Sequence, residues 1–172
     1  MDRHAPDELC DNPDNSYSDS KELIEKWHNK GRLRYAVTPR FAPTSSSTQL
    51  NQAARLLNEY PSDDQTKGVL LQTHLNENDE EIAWVNDLFP DSNSYFGVYE
   101  DHGITGNRSV FGHCIHNTEE EYQRMAKTGS KVSLCPTSNL FLGSGLFELE
   151  KLESYGIDVS LASDVGGGDS FS

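Results

Sequence analysis

Cysteine is scarce here. Cys10, Cys114 and Cys135 lie far apart, are odd in number and form no C-x-x-C pair. That excludes a disulfide framework and a cysteine-built zinc site, and it fits a reducing cytosol. Basic residues are few as well: 14 Lys and Arg face 28 Asp and Glu, for a net charge of -14. Such a chain lacks the clustered cations that nucleic-acid phosphates require, and it does not suit an anionic membrane surface. No run approaches 18 consecutive apolar residues, so no transmembrane helix is expected. The opening "MDRHAPDELCDNPD" has neither a basic n-region nor an apolar h-region, so no signal peptide is expected. The expected location is cytoplasmic. Apolar residues make up only 34% of the 172, lean for an ordinary domain and a first sign that part of a core is missing.

What is present alternates. "SDSKELIEKWHNKG" (18–31) predicts a helix capped at Asp19 or Ser20, with Leu23, Ile24 and Trp27 on one face. Residues before about 18 read as an irregular lead-in. "RLRYAVT" (32–38) predicts a strand stopped by Pro39, and 46–61 a helix ended by Pro61. Strands follow at 69–73, 109–113, 131–135 and 157–164. Between them lie helices at 78–90, at 118–129 with a Thr118–Glu121 capping box, and at 145–156 carrying Leu146, Leu149 and Leu152. Five strands with intervening helices predict βαβ units and a parallel α/β sheet.

Reactive residue types gather just past those strands. In "GVLLQTHLNENDEE" (68–81) an apolar run climbs into His74, with Glu77 three residues on. Arg40 follows the first strand, His113 ends the third, Ser138 and Asn139 follow the fourth, and Asp164 the fifth. In a parallel barrel these tips share the catalytic face. Imidazole and carboxylate suit Zn²⁺ or Fe²⁺. A carboxylate such as Glu77 beside the attacking water is an acid/base candidate; alternatively it is a helix-start charge. Arg40 can equally be a rim ion pair, Phe41 plain core, and Ser138 and Asn139 caps for loop backbone. His116 reads as a solvated loop residue and Cys135 as an inert buried thiol.

The stretches "MDRHAPDEL" (1–9), "YAVTPRFAPTSS" (35–46), "LQTHLNENDEEIAWV" (71–85), "SVFGHCIHNTEEE" (109–121), "CPTSNLFLGSGLF" (135–147) and "SDVGGGDSFS" (163–172) resemble the guanine deaminases of the metal-dependent amidohydrolase superfamily. The resemblance covers nearly the whole chain. It implies a single partial (β/α)₈ TIM-type barrel domain over 1–172, holding one zinc, or alternatively iron, in a homodimeric enzyme that hydrolyses guanine to xanthine and ammonia. By resemblance His74 and Asp164 hold the metal and also meet substrate. Glu77 is the proton shuttle and also meets substrate, Asp164 accepts a proton from the attacking water, and His113 faces that water or substrate rather than the metal. Arg40 and Phe41 grip the guanine ring, and the glycines at 166–168 form a tight loop beside the metal. The six histidines include no H-x-H pair, the usual first-strand ligands of this type. The chain is therefore expected to be a fragment lacking the N-terminal ligands and the C-terminus, with no turnover as an isolated polypeptide. Gly112 and Cys114, where relatives more often carry Ala and Gly, read as neutral packing changes. Alternatives are an amidohydrolase for another purine, a pyrimidine or a triazine, and a non-catalytic truncated chain. The cytidine-type zinc deaminases, with H-x-E and P-C-x-x-C, do not fit, because Cys135-Pro136 is reversed and has no second cysteine.

Overall fold

The computed structural model describes residues 1–61 and 67–168. Five parallel strands form one sheet in chain order: β1 (Ala36–Val37), β2 (Leu70–Leu75), β3 (Ser109–His113), β4 (Lys131–Leu134) and β5 (Val159–Leu161). Sequential order with parallel pairing is the arrangement of a barrel wall, in which each crossover returns the chain beside its predecessor. The α/β, partial-barrel expectation holds.

β2 shows how the wall is built. Leu71, Thr73 and Leu75 are buried beneath the helices, whereas Leu70, Gln72 and His74 are only partly covered on the other face. The covered face meets Leu50, Leu56, Phe96, Tyr99, Tyr122, Met125 and Leu152, together with Phe111, Val132 and Leu134 of neighbouring strands. The other face is concave and lined by Gln72, His74, Val110, Gly112, Ser133 and Leu161.

Among the described residues, seven α-helices accompany the sheet. α1 runs Pro13–Trp27, so residues 13–17 of the expected irregular lead-in are helical, and neither Asp19 nor Ser20 is the cap. Asn12 caps Asp14 N, and Pro13 occupies the first helical position, where its missing N–H costs nothing. Ile24 is buried, but Leu23 and Trp27 remain about half exposed. α2 (Ser47–Glu59) and α3 (Asp79–Leu88) lie within the predicted helices, capped by Ser46 and Asn78. α4 (Tyr95–Asp101) was not anticipated. α5 (Glu119–Thr128) carries the predicted capping box, Thr118 with Glu121. α6 (Pro136–Leu142) occupies a stretch read as loop, and the helix expected over 145–156 shrinks to α7 (Leu149–Ser154). There Leu146 is exposed and only Leu152 is buried. β1 and β5 are shorter than expected, as befits strands at the two edges of the sheet. Among the described residues no helix is long and apolar enough to cross a membrane.

Candidate metal centre and active site

The C-terminal tips of β2, β3 and β5 bring three ligand-type side chains together. One ligand atom from each of His74, His113 and Asp164 lies within 4.8 Å of the others. Strand register sets this up. His74 pairs with Gly112, and Leu75 pairs with His113. Strict alternation would aim His113 at the helix layer with Ser109 and Phe111. Its φ of 68°, followed by Cys114 at 53°, turns it back toward the concave face. The rings of His74 and His113 then stack, with centroids 5.2 Å apart. Left-handed φ at non-glycine residues costs about 1–3 kcal/mol each and gathers at functional sites. Asn76 (49°) and Asp164 (49°) share it at neighbouring tips. Cys114 holds a φ that a glycine would reach without strain, so it is not a neutral packing position.

Both imidazoles are held in the tautomer a metal requires. His74 Nδ1 donates to the Arg40 carbonyl at 2.6 Å, and His113 Nδ1 donates to Asn139 Oδ1 at 2.8 Å. Each Nε2 is thereby left with its lone pair free, as in metal sites where a second partner fixes the ring. Burial lowers the pKa of His74, which keeps it neutral. The Asp164 carboxylate accepts from Ser138 Oγ at 2.6 Å. The loop after β5 wraps it, with Gly167 N and Gly168 N both donating to the Asp164 carbonyl. A Cβ at Gly167 would lie 2.5 Å from Asp164 Oδ2, so only glycine leaves the carboxylate in place. The glycine loop is thus the tight turn expected of it; residues 169–172 of that matched stretch lie outside the described residues. Two imidazoles and an aspartate side chain, each steadied by a second hydrogen bond, form a donor set that fits Zn²⁺ or Fe²⁺.

Glu77 stands over this cluster, its Oε2 3.8 Å from His113 Nε2, which is itself 4.0 Å from Asp164 Oδ2. Its place is fixed from behind. The buried Glu121 carboxylate accepts from Asn76 Nδ2, Phe96 N and Thr118 N, and so anchors Asn76, the residue before Glu77, in its left-handed bend. Glu81, one helical turn beyond Glu77, is also buried. Burial first, and the neighbouring Glu77 charge second, push its carboxyl up to about 7.

Phe41 meets His74 edge-on at 6.1 Å, and the Arg40 guanidinium lies over the Phe41 ring at 4.6 Å. The pair therefore stands at the rim of the cluster. Trp84 packs edge-on to both Phe41 and His4 and extends that aromatic wall. Tyr99, from the unforeseen α4, is fully buried; its hydroxyl donates to the His74 carbonyl at 2.7 Å and accepts from Ala42 N at 3.0 Å. It ties the "RFAPT" turn to the tip of β2.

Two readings need correction. Ser138 and Asn139 do not merely bond loop backbone, since their side chains hold Asp164 and His113. His116 is not simply solvated, because its Nε2 is bonded to the Ser144 carbonyl at 2.8 Å. Cys135 conforms to expectation, its thiol pushed up to about 11 by burial.

The Amidohydrolase family pattern matches residues 1–172. The chain belongs to the amidohydrolase family. Within that family of typically metal-dependent enzymes, guanine deaminase of Escherichia coli K12 is 51% identical over 171 residues, which are 99% of this chain and 38% of that protein. Guanine deaminase of Dictyostelium discoideum is 35% identical over 98% of this chain and 36% of its own length. Among solved structures, the E. coli guanine deaminase superposes with a TM-score of 0.94, covering 99% of this chain and 38% of that one. Guanine deaminase from C. acetobutylicum, solved with guanine bound in its active site, gives 0.89 at 35% identity, over 98% of this chain and 39% of that one. Triazine hydrolases at 20–21% identity share the fold, with TM-scores of 0.82–0.84. The chain thus spans roughly a third of the length of the amidohydrolases it matches.

Proposed function

We propose that residues 1–172 supply the metal-binding and proton-transfer part of a hydrolytic guanine deaminase, turning guanine and water into xanthine and ammonia. The observation that carries this is the convergence of His74 Nε2, His113 Nε2, the Asp164 carboxylate and Glu77 on one spot at the strand tips. The 51% identity to a guanine deaminase supports the choice of substrate. His74 and Asp164 would hold the metal; Zn²⁺ is favoured by the donor set, with Fe²⁺ second. The ion would supply Lewis acidity that makes the attacking water available near neutral pH. Asp164 takes a proton from that water as its oxygen adds to C2 of the purine. Glu77 delivers its proton to N3, takes up the proton of the C2 hydroxyl as the carbonyl forms and hands it to the departing amine, and is reset by the proton that Asp164 took. His113 Nε2 accepts a hydrogen bond from the hydroxyl on the tetrahedral carbon. Arg40 aims its planar donor fork at the guanine acceptors, while Phe41 packs on the ring. The intact enzyme on this reading is cytoplasmic and homodimeric, with this chain as one partial barrel domain.

A second reading follows from one distance set: His113 Nε2 lies as well placed for a metal as the other two ligand atoms, which would make it a ligand rather than a neighbour of the reacting centre.

The test is a chimera in which residues 1–172 replace the matching segment of E. coli guanine deaminase. It is expected to deaminate guanine but not adenine, cytosine or a chlorotriazine. Arg40→Ala is expected to raise KM for guanine by about 10–100-fold, the worth of a charged hydrogen bond. The 172-residue chain alone, which has no H-x-H pair, is expected to show no turnover. A chimera inactive on guanine but active on another of these bases would overturn the substrate assignment.

A further inference from the structure

The "LFLGSG" part of the fourth matched tip is left unused by the roles above, yet it reaches the proton shuttle directly. α6 ends at Leu142, and the chain turns so that Ser144 N donates to the Asn139 carbonyl at 2.9 Å. Ser144 is almost wholly buried, and its Oγ donates to Glu77 Oε1 at 3.3 Å. Its own carbonyl is held by His116 Nε2 at 2.8 Å, and His116 Nδ1 lies 3.7 Å from Asp79 in the first turn of α3. Gly145 presses on the same loop: its φ is 130°, and a Cβ there would stand 2.9 Å from Ile115 Cγ2. The serine cannot drift without breaking these contacts.

We infer that Ser144 is a positioning residue for Glu77, held in place by His116. This rests on the shuttle role proposed above for Glu77. Glu77 is partly exposed, and a glutamate side chain has several rotamers to choose among. Asn76 and Glu121 fix where its backbone stands but not where its carboxylate points. Ser144 fixes the carboxylate, leaving Oε2 toward His113 while Oε1 is occupied. The same helix end governs both partners of the reaction: the Asn139 side chain orients His113, and its backbone carbonyl holds Ser144. α6 therefore sets the spacing between His113 and Glu77, and this gives the "SNLFLGSG" spacing a physical reason.

The experiment is a double-mutant cycle in the chimera. Ser144→Ala is expected to lower kcat about 10-fold, the scale of a misplaced catalytic group, with KM for guanine changed less than about twofold. In a Glu77→Asp background, where the shortened side chain no longer reaches the hydroxyl, Ser144→Ala is expected to change kcat less than about twofold. His116→Ala, which frees the loop but keeps the hydroxyl, is expected to lower kcat in the same direction and to a smaller extent. Zinc content and Tm are followed throughout. Equal losses in both backgrounds, a KM effect without a kcat effect, or a kcat loss that tracks lost zinc or lowered Tm would each overturn the inference. A parent chimera without guanine turnover overturns the proposed function instead; an active parent indifferent to Ser144→Ala overturns only the positioning role.

Discussion

Replacing Glu77 with Gln in the chimera is expected to lower kcat for guanine by about 10²–10⁴-fold, the usual contribution of a positioned general acid/base. KM and zinc content are expected to stay close to the parent's. Glutamine keeps the shape of the side chain and can still accept from Ser144 Oγ, but it cannot carry a proton to N3 or to the leaving amine. The separation of effects follows from the geometry. Glu77 stands 3.8 Å from His113 Nε2, and it is not one of the three side chains whose ligand atoms cluster. Its loss should spare the metal and remove only proton transfer. Steady-state kinetics with metal analysis on the same preparation checks this. A kcat within about threefold of the parent would assign the shuttle elsewhere, and loss of zinc would make Glu77 part of the metal site.

Glu81→Gln is expected to stabilise the protein at pH 8 and to leave it unchanged at pH 4. The Glu81 carboxyl is pushed from 4.5 up to about 7, by burial first and by the Glu77 charge second. Between those values the unfolded chain has released a proton that the native chain still holds. Stability is therefore lost as pH rises from about 4.5 to 7, and the loss is complete above that window. A carboxyl displaced that far corresponds to roughly 3 kcal/mol. Glutamine does not ionise and escapes this loss. Urea unfolding of parent and variant at both pH values measures it. The expected result is a gain for the variant of up to roughly 3 kcal/mol at pH 8 that vanishes at pH 4. A gain independent of pH would mean that Glu81 does not retain its proton in the fold.

Much of the wall was legible because its signals are local. The run ending in His74, the capping box at Thr118 and the spacing of turn residues each predict an element without help from the rest of the chain, and β3 matches its predicted span residue for residue. The misses have physical causes. α4 has no polar face to betray it: Tyr95, Phe96, Gly97, Val98 and Tyr99 are all buried, so no amphipathic period exists. α6 follows Cys135 with a proline and exposes Leu140, Phe141 and Leu142, which inverts the usual pattern. The start of α1 was marked all along by Asn12-Pro13, a cap followed by proline at the first helical position.

The site divides along the same line. His74, Glu77, His113 and Asp164 could be proposed because each sits at or just past a strand tip. Their supports could not, because the partners are distant in sequence. Asn139 meets His113 across 26 residues, Ser144 meets Glu77 across 67, and Tyr99 reaches the His74 carbonyl across 25. Nothing local in "CPTSNLFLGSG" shows which of its polar side chains turn inward. That follows from the end of α6 and from the left-handed bend at His113 and Cys114, which no periodicity reveals.

The most direct test of the central claim is anomalous diffraction at the zinc edge from crystals of the zinc-loaded chimera. One peak is expected within bonding distance of His74 Nε2 and the Asp164 carboxylate, at about 2.0–2.2 Å, with Glu77 facing it but unbound. A peak on other residues, or none between these strand tips, would contradict it.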